Sequence, residues 1–407
     1  MTFQNKRRID YWLGGFLLAL LYLPVRCLGL LLRRDHSTSR RRGCVVIKMV
    51  GAGSLFLAMP SMNEIRRRFP SDSFYLVGTP AVINVARGLD WFDEYWTIDD
   101  SSLVKLVKTS LIVLWRMGRR TDHLIDLEVH SRLTTVFSVL SMVRNRIGFV
   151  DEIVFWRRGF YTHMTFFNVH GPVYLFYDLL ASWFGIDTVG VTKFNSRFRD
   201  QIMRTAQPEG TPPSAPYIAV GHGCSDFGVE RKLRPEEWGR LLGDVELVTH
   251  DIVFLGAAAD SAEAEAIIAV MGRGRNLCGR FSIAQSAHMI AHASLYYGID
   301  SMLLHMARSL GVPTVSAFGP TDPATRLRRL SLLERVEYVR LPCSPCIHVN
   351  ETPPCNGSRD CMALAFQGLM SNSRPVPSLE PHRICPALGW TLGPSEKRVR
   401  AARVSAE

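Results

Sequence analysis

The sequence predicts an α/β chain of two Rossmann-like domains facing each other across a cleft, preceded by a basic, apolar segment associated with a membrane. Three observations carry this reading. Short β-branched runs alternate with stretches of helical period in two separate series, a Pro-rich stretch divides the series, and glycine turns close the strands where each series begins its chemistry. Strands alternating with helices imply a parallel sheet covered on both faces. The length of 407 residues suits two domains with extensions, and 47% hydrophobic with 21% charged residues can build two cores, which excludes a chain disordered throughout.

The first 42 residues hold nine Lys and Arg against two Asp, so much of the net charge of +11 sits ahead of the first strand. The rest of the chain has no long basic stripe with interleaved aromatics, and nucleic acid is excluded as the expected partner. Within that segment residues 11–25 form a charge-free apolar run, which as a helix would span about 22 Å, short of a bilayer's apolar core of roughly 30 Å. Pro24 and Arg26 argue against a clean spanning helix, and Tyr11, Trp12 and Tyr22 suit a headgroup interface. An interfacial or re-entrant anchor is expected, with a spanning helix and a helix packed on the domain as the alternatives, and with the body of the protein on the cytoplasmic face.

The first domain is expected over residues 43–206, with strands at 44–50, 73–77, 94–98, 123–127 and 146–149 and helices at 55–68, 81–87, 103–117 and 132–143. Residues 207–216, with four Pro, one Gly and a serine, read as the linker. The second domain, 217–371, has strands at 217–220, 252–255, 295–297 and 314–318 and helices at 235–242, 262–270, 283–292 and 302–310. Such sheets bind ligands at the carboxyl ends of their strands. Residues 372–407, rich in Pro, Ser and charge, are expected to be disordered.

Candidate chemistry falls at those ends. Gly51-Ala52-Gly53-Ser54 follows the first strand and opens a helix, where free backbone N–H groups meet an anion or a sugar, although a glycine turn there is also common for steric reasons. Asp300 ends a strand, and Ser301 and Met302 open a helix that carries His305 one turn on. The amides of that first turn and the helix dipole suit a diphosphate, the purely structural alternative being Asp300 as an N-cap. Lys232 lies just before a helix that starts with Pro235, placed to neutralise a leaving diphosphate. Thr321 and Asp322 occupy a turn-rich loop at the same sheet edge.

Taken together, residues 45–60, His123 to Glu128, Arg146 to Phe149, Lys232 to Trp238, Asp300-Ser301 with His305, and Phe318-Gly319-Pro320-Thr321-Asp322-Pro323 resemble glycosyltransferase family 9, the lipopolysaccharide heptosyltransferase family, over residues 44–365. The resemblance implies a GT-B fold, with the acceptor on the N-terminal domain near Gly51, Gly53 and Ser54. It places an ADP-sugar-like donor on the C-terminal domain, held by Lys232, Asp300, Ser301, Met302, His305, Thr321 and Asp322. It also implies inversion at the anomeric carbon with no metal or other cofactor required, and a lipid-linked glycan acceptor at the inner membrane. Two positions depart from the family pattern. Ser54 stands where relatives carry Asp, their proposed general base, and Met302 stands where they carry Gly.

A serine without a partner cannot take an acceptor's proton at neutral pH, so Glu128, at the end of the strand 123–127, is the expected replacement base, with His130 next. Glu128 as a cap for the helix near Arg132 is the structural alternative. Ser54 leaves two other readings open: a catalytically silent relative that binds a nucleotide sugar or glycolipid, and another GT-B enzyme such as a sugar-nucleotide epimerase. Nine cysteines do not make a disulfide framework in a chain of this size. Cys343, Cys346, Cys355 and Cys361 begin with a Cys-x2-Cys pair typical of structural zinc, but the second pair has unusual spacing, and free thiols or local disulfides are the alternative.

Overall fold

The computed structural model describes residues 3–39, 42–205, 216–225, 228–243, 250–328, 334–347 and 353–371. The expected linker, apart from its last residue, and the expected disordered tail lie outside these. The chain divides into two compact units, one ending at Gly190 and the other starting at Val191.

The first unit is built on a six-stranded parallel sheet of β1 (Gly43–Ile47), β2 (Ser73–Gly78), β3 (Glu94–Thr97), β4 (His123–Asp126), β5 (Asn145–Val150) and β6 (His163–Phe166), ordered β3-β2-β1-β4-β5-β6. Val45, Val46 and Ile47 are fully buried, as expected for a strand covered on both faces. The helices of this unit are α1 (Phe3–Ile9), α2 (Gly15–Leu32), α3 (Ala52–Arg68), α4 (Pro80–Gly88), α5 (Leu103–Arg120), α6 (Arg132–Leu140) and α7 (Val173–Ser182). Gly51 turns the chain from β1 into α3 at φ 81°, a left-handed conformation that strains any residue with a Cβ.

The apolar segment at the start of the chain is longer than its sequence suggested. Residues Asn5–Leu32 form one continuous helix of 28 residues, about 42 Å at 1.5 Å per residue, which runs through Pro24 and Arg26 without a break. By length and composition it can cross a membrane. Arg26 lies over the Tyr22 ring at 5.8 Å, so its charge is carried on the helix's own aromatic surface. One edge of the helix is docked on the unit. Asp10 accepts from Ser131 Oγ (2.7 Å), Arg132 N (3.0 Å) and Leu133 N (2.9 Å), satisfying the open amides of α6, and Leu18 is buried with Val136, Val139 and Phe160.

The second unit repeats the topology. Its strands β7 (Tyr217–Gly221), β8 (Asp251–Phe254), β9 (Arg275–Asn276), β10 (Leu295–Ile299), β11 (Thr314–Phe318) and β12 (Glu334–Tyr338) run β12-β11-β10-β7-β8-β9, all parallel. Its helices are α8 (Val191–Thr205), α9 (Pro235–Leu242), α10 (Ser261–Met271), α11 (Ile283–His292), α12 (Met302–Ser309), α13 (Pro323–Arg326) and α14 (Asp360–Ser371). The sequence placed residues 191–205 in the first domain, ahead of the Pro-rich stretch. In the structure α8 belongs with the second unit, where Arg199 donates to Ala291 O at 3.0 Å and to Leu310 O at 2.5 Å, capping carbonyls at the ends of α11 and α12. Tyr296, fully buried in β10, lies so close to Gly221 of β7 that a Cβ there would sit 1.9 Å from its hydroxyl, so only glycine fits.

Candidate active site at the two sheet switch points

Each sheet reverses its strand order between its first and fourth strands, and the carboxyl ends of those two strands frame the crevice where open α/β sheets bind ligands. In the first unit these are β1 and β4. β1 delivers Lys48, and β4 delivers Asp126 followed by Glu128.

Glu128 does not cap α6, since Ser131 and Asp10 take that role. Its Oε1 instead accepts from Lys48 Nζ (3.0 Å), Met49 N (2.7 Å) and Val50 N (2.9 Å). Lys48 is 5% exposed, and although burial opposes its charge, the adjacent Glu128 carboxylate outweighs this and raises its pKa. A second buried group holds the Glu128 loop from below. Arg157, fully buried, donates to Glu128 O (2.7 Å), Val129 O (2.9 Å) and Asp126 Oδ2 (2.5 Å), and Tyr161 closes the set onto Asp126.

The remaining candidates of this unit are less engaged. Ser54 Oγ donates to Gly51 O at 2.7 Å, within its own turn. His130 has a solvent-exposed side and packs edge-on against Phe167, and the protein behind it lowers its pKa by desolvation. Gly53 lies inside α3, so the turn itself rests on Gly51 alone.

In the second unit the switch point lies between β7 and β10. Asp300 ends β10 and is not the N-cap of α12; Ser301 holds that position, and its side chain makes no capping bond, which leaves the first amides of α12 to another partner. Asp300 faces Arg231 (3.6 Å) and His305 (3.5 Å), while Arg231 Nη1 also donates to Asp300 O at 2.6 Å. Burial raises the pKa of Asp300, but the His305 hydrogen bond and the Arg231 charge win and hold it well below the usual carboxylate range. Burial lowers that of His305 against the opposing pull of Asp300, which favours the neutral imidazole.

Buried polar atoms at this edge without a hydrogen-bond partner among the described residues include His222 Nδ1 just after β7, Ser301 Oγ, His305 Nδ1, and Thr321 Oγ1 just after β11. Ser301, also buried, faces the Tyr296 hydroxyl. Orphaned polar atoms are costly in a core, and several of this chain's gather at this one edge. Met302 is half-buried, and Asp322 caps α13 by accepting from Ala324 N at 2.8 Å. Lys232 is half-buried in an ion pair with Glu263 at 2.6 Å.

Among the described residues no three His, Cys, Asp or Glu side chains gather as a metal would require. All four clustered cysteines are free: Cys343 is exposed, Cys355 is half-buried, Cys346 is buried, and Cys361 packs into the core of the second unit with Met362 and Phe366.

Sequence reasoning brought forward Glu128, Asp300, Ser301, His305 and Thr321, which the structure gathers at the two switch points. It missed the roles of Lys48, Arg157, Tyr161, His222 and Glu263. Lys48 is legible as a cation that ends an apolar strand; Arg157 lies in a short 3-10 turn with no local pattern to mark it.

The model of "Glycosyltransferase family 9 (heptosyltransferase)" matches residues 172–355. Lipopolysaccharide heptosyltransferase 1 of Pseudomonas aeruginosa is 33% identical over 139 residues, 33% of this chain, and the match spans 37% of that protein's length. Three solved structures share the fold. E. coli ADP-heptose lps heptosyltransferase II superposes with a TM-score of 0.56 at 16% identity over 80% of this chain and 99% of its own. A family 9 glycosyl transferase of Veillonella parvula gives 0.58 at 16% identity over 83% and 99%. E. coli heptosyltransferase WaaC with ADP gives 0.61 at 14% identity over 81% and 98%. The motifs, the twin sheets and these likenesses agree: residues 172–355 are similar to glycosyltransferase family 9 (heptosyltransferase), and the chain has the fold of the solved heptosyltransferases, GT-B.

Proposed function

We propose that this protein is an inverting glycosyltransferase that moves a heptose-like sugar from a nucleoside diphosphate to a lipopolysaccharide-type, lipid-linked acceptor at the cytoplasmic face of the inner membrane, without a metal. The observation that carries this is the second switch point, where a buried, ionised Asp300 and the unpartnered atoms of His222, His305 and Thr321 surround the uncapped start of α12. A nucleoside diphosphate supplies the missing partners: its phosphates suit the α12 amides and the nearby cations, and its ribose hydroxyls suit His305 and Thr321. Lys232 joins by releasing Glu263, and Arg231 adds a second cation held by Asp300. Neutralised in this way, the diphosphate is a good leaving group and needs no acid.

On the acceptor side, Glu128 is the base. Its three protein bonds all fall on Oε1, so Oε2 accepts the proton as the acceptor oxygen attacks the anomeric carbon and the bond to the diphosphate breaks. Ser54, committed to Gly51 O, positions the acceptor and does not abstract its proton. The same saturation of Oε1 supports a second reading, in which Lys48 and Glu128 are a purely structural pair and the chain binds a nucleotide sugar without turning it over.

The deciding experiment incubates purified protein with ADP-heptose and other nucleotide sugars, first by thermal shift and then with a lipopolysaccharide-core acceptor while following nucleotide release and sugar transfer. Binding with transfer is the expected result. Binding without turnover toward any acceptor favours the silent reading, interconversion of the donor sugar favours an epimerase, and no stabilisation by any nucleotide sugar refutes the donor site itself.

A further inference from the structure

The outward face of α5 is apolar, the reverse of what a helix on a soluble domain presents. The helix buries Val113 and Met117 in the core beneath it, with Trp96 and Ile98. At about 100° per residue, Val104, Leu111 and Trp115 stand on the opposite side, and they are 78%, 62% and 60% exposed. Val107 and Ile112 widen the strip, and both are exposed. Its sequence, LVKLVKTSLIVLWRMGRR, has no Asp or Glu. Of its cations, Lys105 pairs with Asp99 and Arg120 with Glu94, while Lys108, Arg116 and Arg119 line one side of the apolar strip, around Ile112. Arg119 lies over the Trp115 ring at 4.2 Å, an aromatic and cation pair of the kind that sits at headgroup level.

A second apolar strip lies on the N-terminal helix of the same unit. The long N-terminal helix presents Trp12, Phe16, Leu20 and Leu23 to solvent at spacings of four, four and three, one face of the helix. Lys6 of that helix is bonded to Asp100, just ahead of α5, at 2.6 Å, and both helices pack on α6.

We propose that α5 is a second membrane-seating element, which enters the headgroup boundary of an anionic bilayer beside the N-terminal helix and lays the first unit against the membrane. The inference rests on the membrane-surface location proposed above. The occupant is a bilayer with anionic headgroups because the strip combines an apolar centre with bordering cations and no carboxylate, the composition of an interfacial helix. A protein partner or a second copy of the chain has no such reason to require a basic border free of acids. Seating by two helices also fixes the orientation of the unit, which a single anchoring helix leaves free to rotate.

The test uses the full chain, because removing the N-terminal helix would also uncap α6 and open the cluster around Leu18. Co-sedimentation is measured with vesicles of phosphatidylethanolamine and phosphatidylglycerol, and with neutral phosphatidylcholine vesicles, for the wild type, Leu111→Glu/Trp115→Glu and Lys108→Glu/Arg119→Glu. All four positions are exposed, and circular dichroism melts check that the variants fold; the charge pair serves if the apolar pair does not. Each variant is expected to bind anionic vesicles at least about tenfold more weakly than the wild type, with the charge pair losing its preference for anionic over neutral lipid. Undiminished binding by a folded variant, with the wild type bound, overturns the role of α5 and leaves the membrane location standing. A wild type that pellets with neither vesicle overturns both. Unchanged vesicle binding with loss of a dimer by light scattering assigns the face to a second copy and also overturns it. The readout needs no catalysis, so a silent chain leaves the test intact.

Discussion

The two units use one topology and one switch point each, yet they differ in how far their buried polar groups are satisfied. At the β1/β4 edge every charge has an internal partner: Lys48 with Glu128, and Arg157 with Asp126 and Tyr161. At the β7/β10 edge, buried atoms of His222, His305 and Thr321 have none among the described residues. Burying a polar atom without a partner costs about 1–3 kcal/mol, so the second edge stores a cost that a ligand can remove. The first edge keeps one such atom, Arg157 Nε, but its other donors hold the Glu128 loop and its carboxylate in place. The difference separates a surface prepared to bind from a surface prepared to position a single reactive group.

The largest effect is expected from removing that group. Glu128→Gln should lower turnover by about 10² to 10⁴-fold while donor affinity is nearly unchanged. Lys48 is buried and loses its counter-charge in this variant, so a fall in activity alone could reflect damage to the loop: breaking a buried pair costs about 3–5 kcal/mol of stability. Lys48→Met/Glu128→Gln separates the two effects. It should recover much of the stability lost by Glu128→Gln and none of the turnover. If the double variant regains activity, Glu128 is a structural partner of Lys48, and His130 is the next base to test.

A smaller effect should appear on the other side of the comparison. Lys232→Ala and His305→Ala should each weaken binding of ADP or a nucleotide sugar by about 1.5–3 kcal/mol, the range for hydrogen bonds to charged groups, as measured by titration calorimetry. Glu263→Gln should act in the opposite direction, because Lys232 no longer has to leave an ion pair to meet the diphosphate. Equal donor affinity in all three variants would falsify the assignment of the nucleotide to this edge.

How far each edge was legible follows from the same contrast. Strand ends and helix starts are local patterns, so Asp300, Ser301 and His305 could be read from their spacing, and Glu128 from its place after an apolar strand. The satisfied network of the first edge is assembled by residues far apart in the chain: Arg157 reaches back 31 residues to Asp126, and Lys48 forward 80 to Glu128. No window of sequence contains either pair. The continuity of the N-terminal helix through Pro24, and the short strands β6 and β9, escaped for a related reason. Tertiary packing stabilised them against weak or unfavourable local propensity.

The smallest expected effect is in pH dependence, and it tests whether the second edge is held by neutral imidazoles. Burial lowers the pKa of both His222 and His305, so the folded chain keeps them uncharged at pH values where the unfolded chain protonates them. Between the ordinary histidine value near 6.5 and those lower folded values, the unfolded state binds more protons, and stability must fall as the pH drops, by about 1.4 kcal/mol for each unit of separation. Lys48 has the opposite sense: its folded pKa is raised, so its contribution is complete below the ordinary lysine value and is lost only as the pH rises past it. His163, in the first unit, is pushed down to about 4 by burial and also weakens the fold in acid, so the wild-type curve alone cannot separate the edges. The measurement is therefore a difference. Thermal unfolding is followed from pH 7 to 5 for the wild type, His305→Gln and His222→Gln, and each variant should lose less stability over that interval than the wild type does. Saturating ADP should steepen the wild-type loss if the nucleotide bonds to the neutral ring, because protonation then costs a ligand contact as well as the fold. Parallel curves for all three proteins, with and without ADP, would mean that neither histidine is held neutral at the edge.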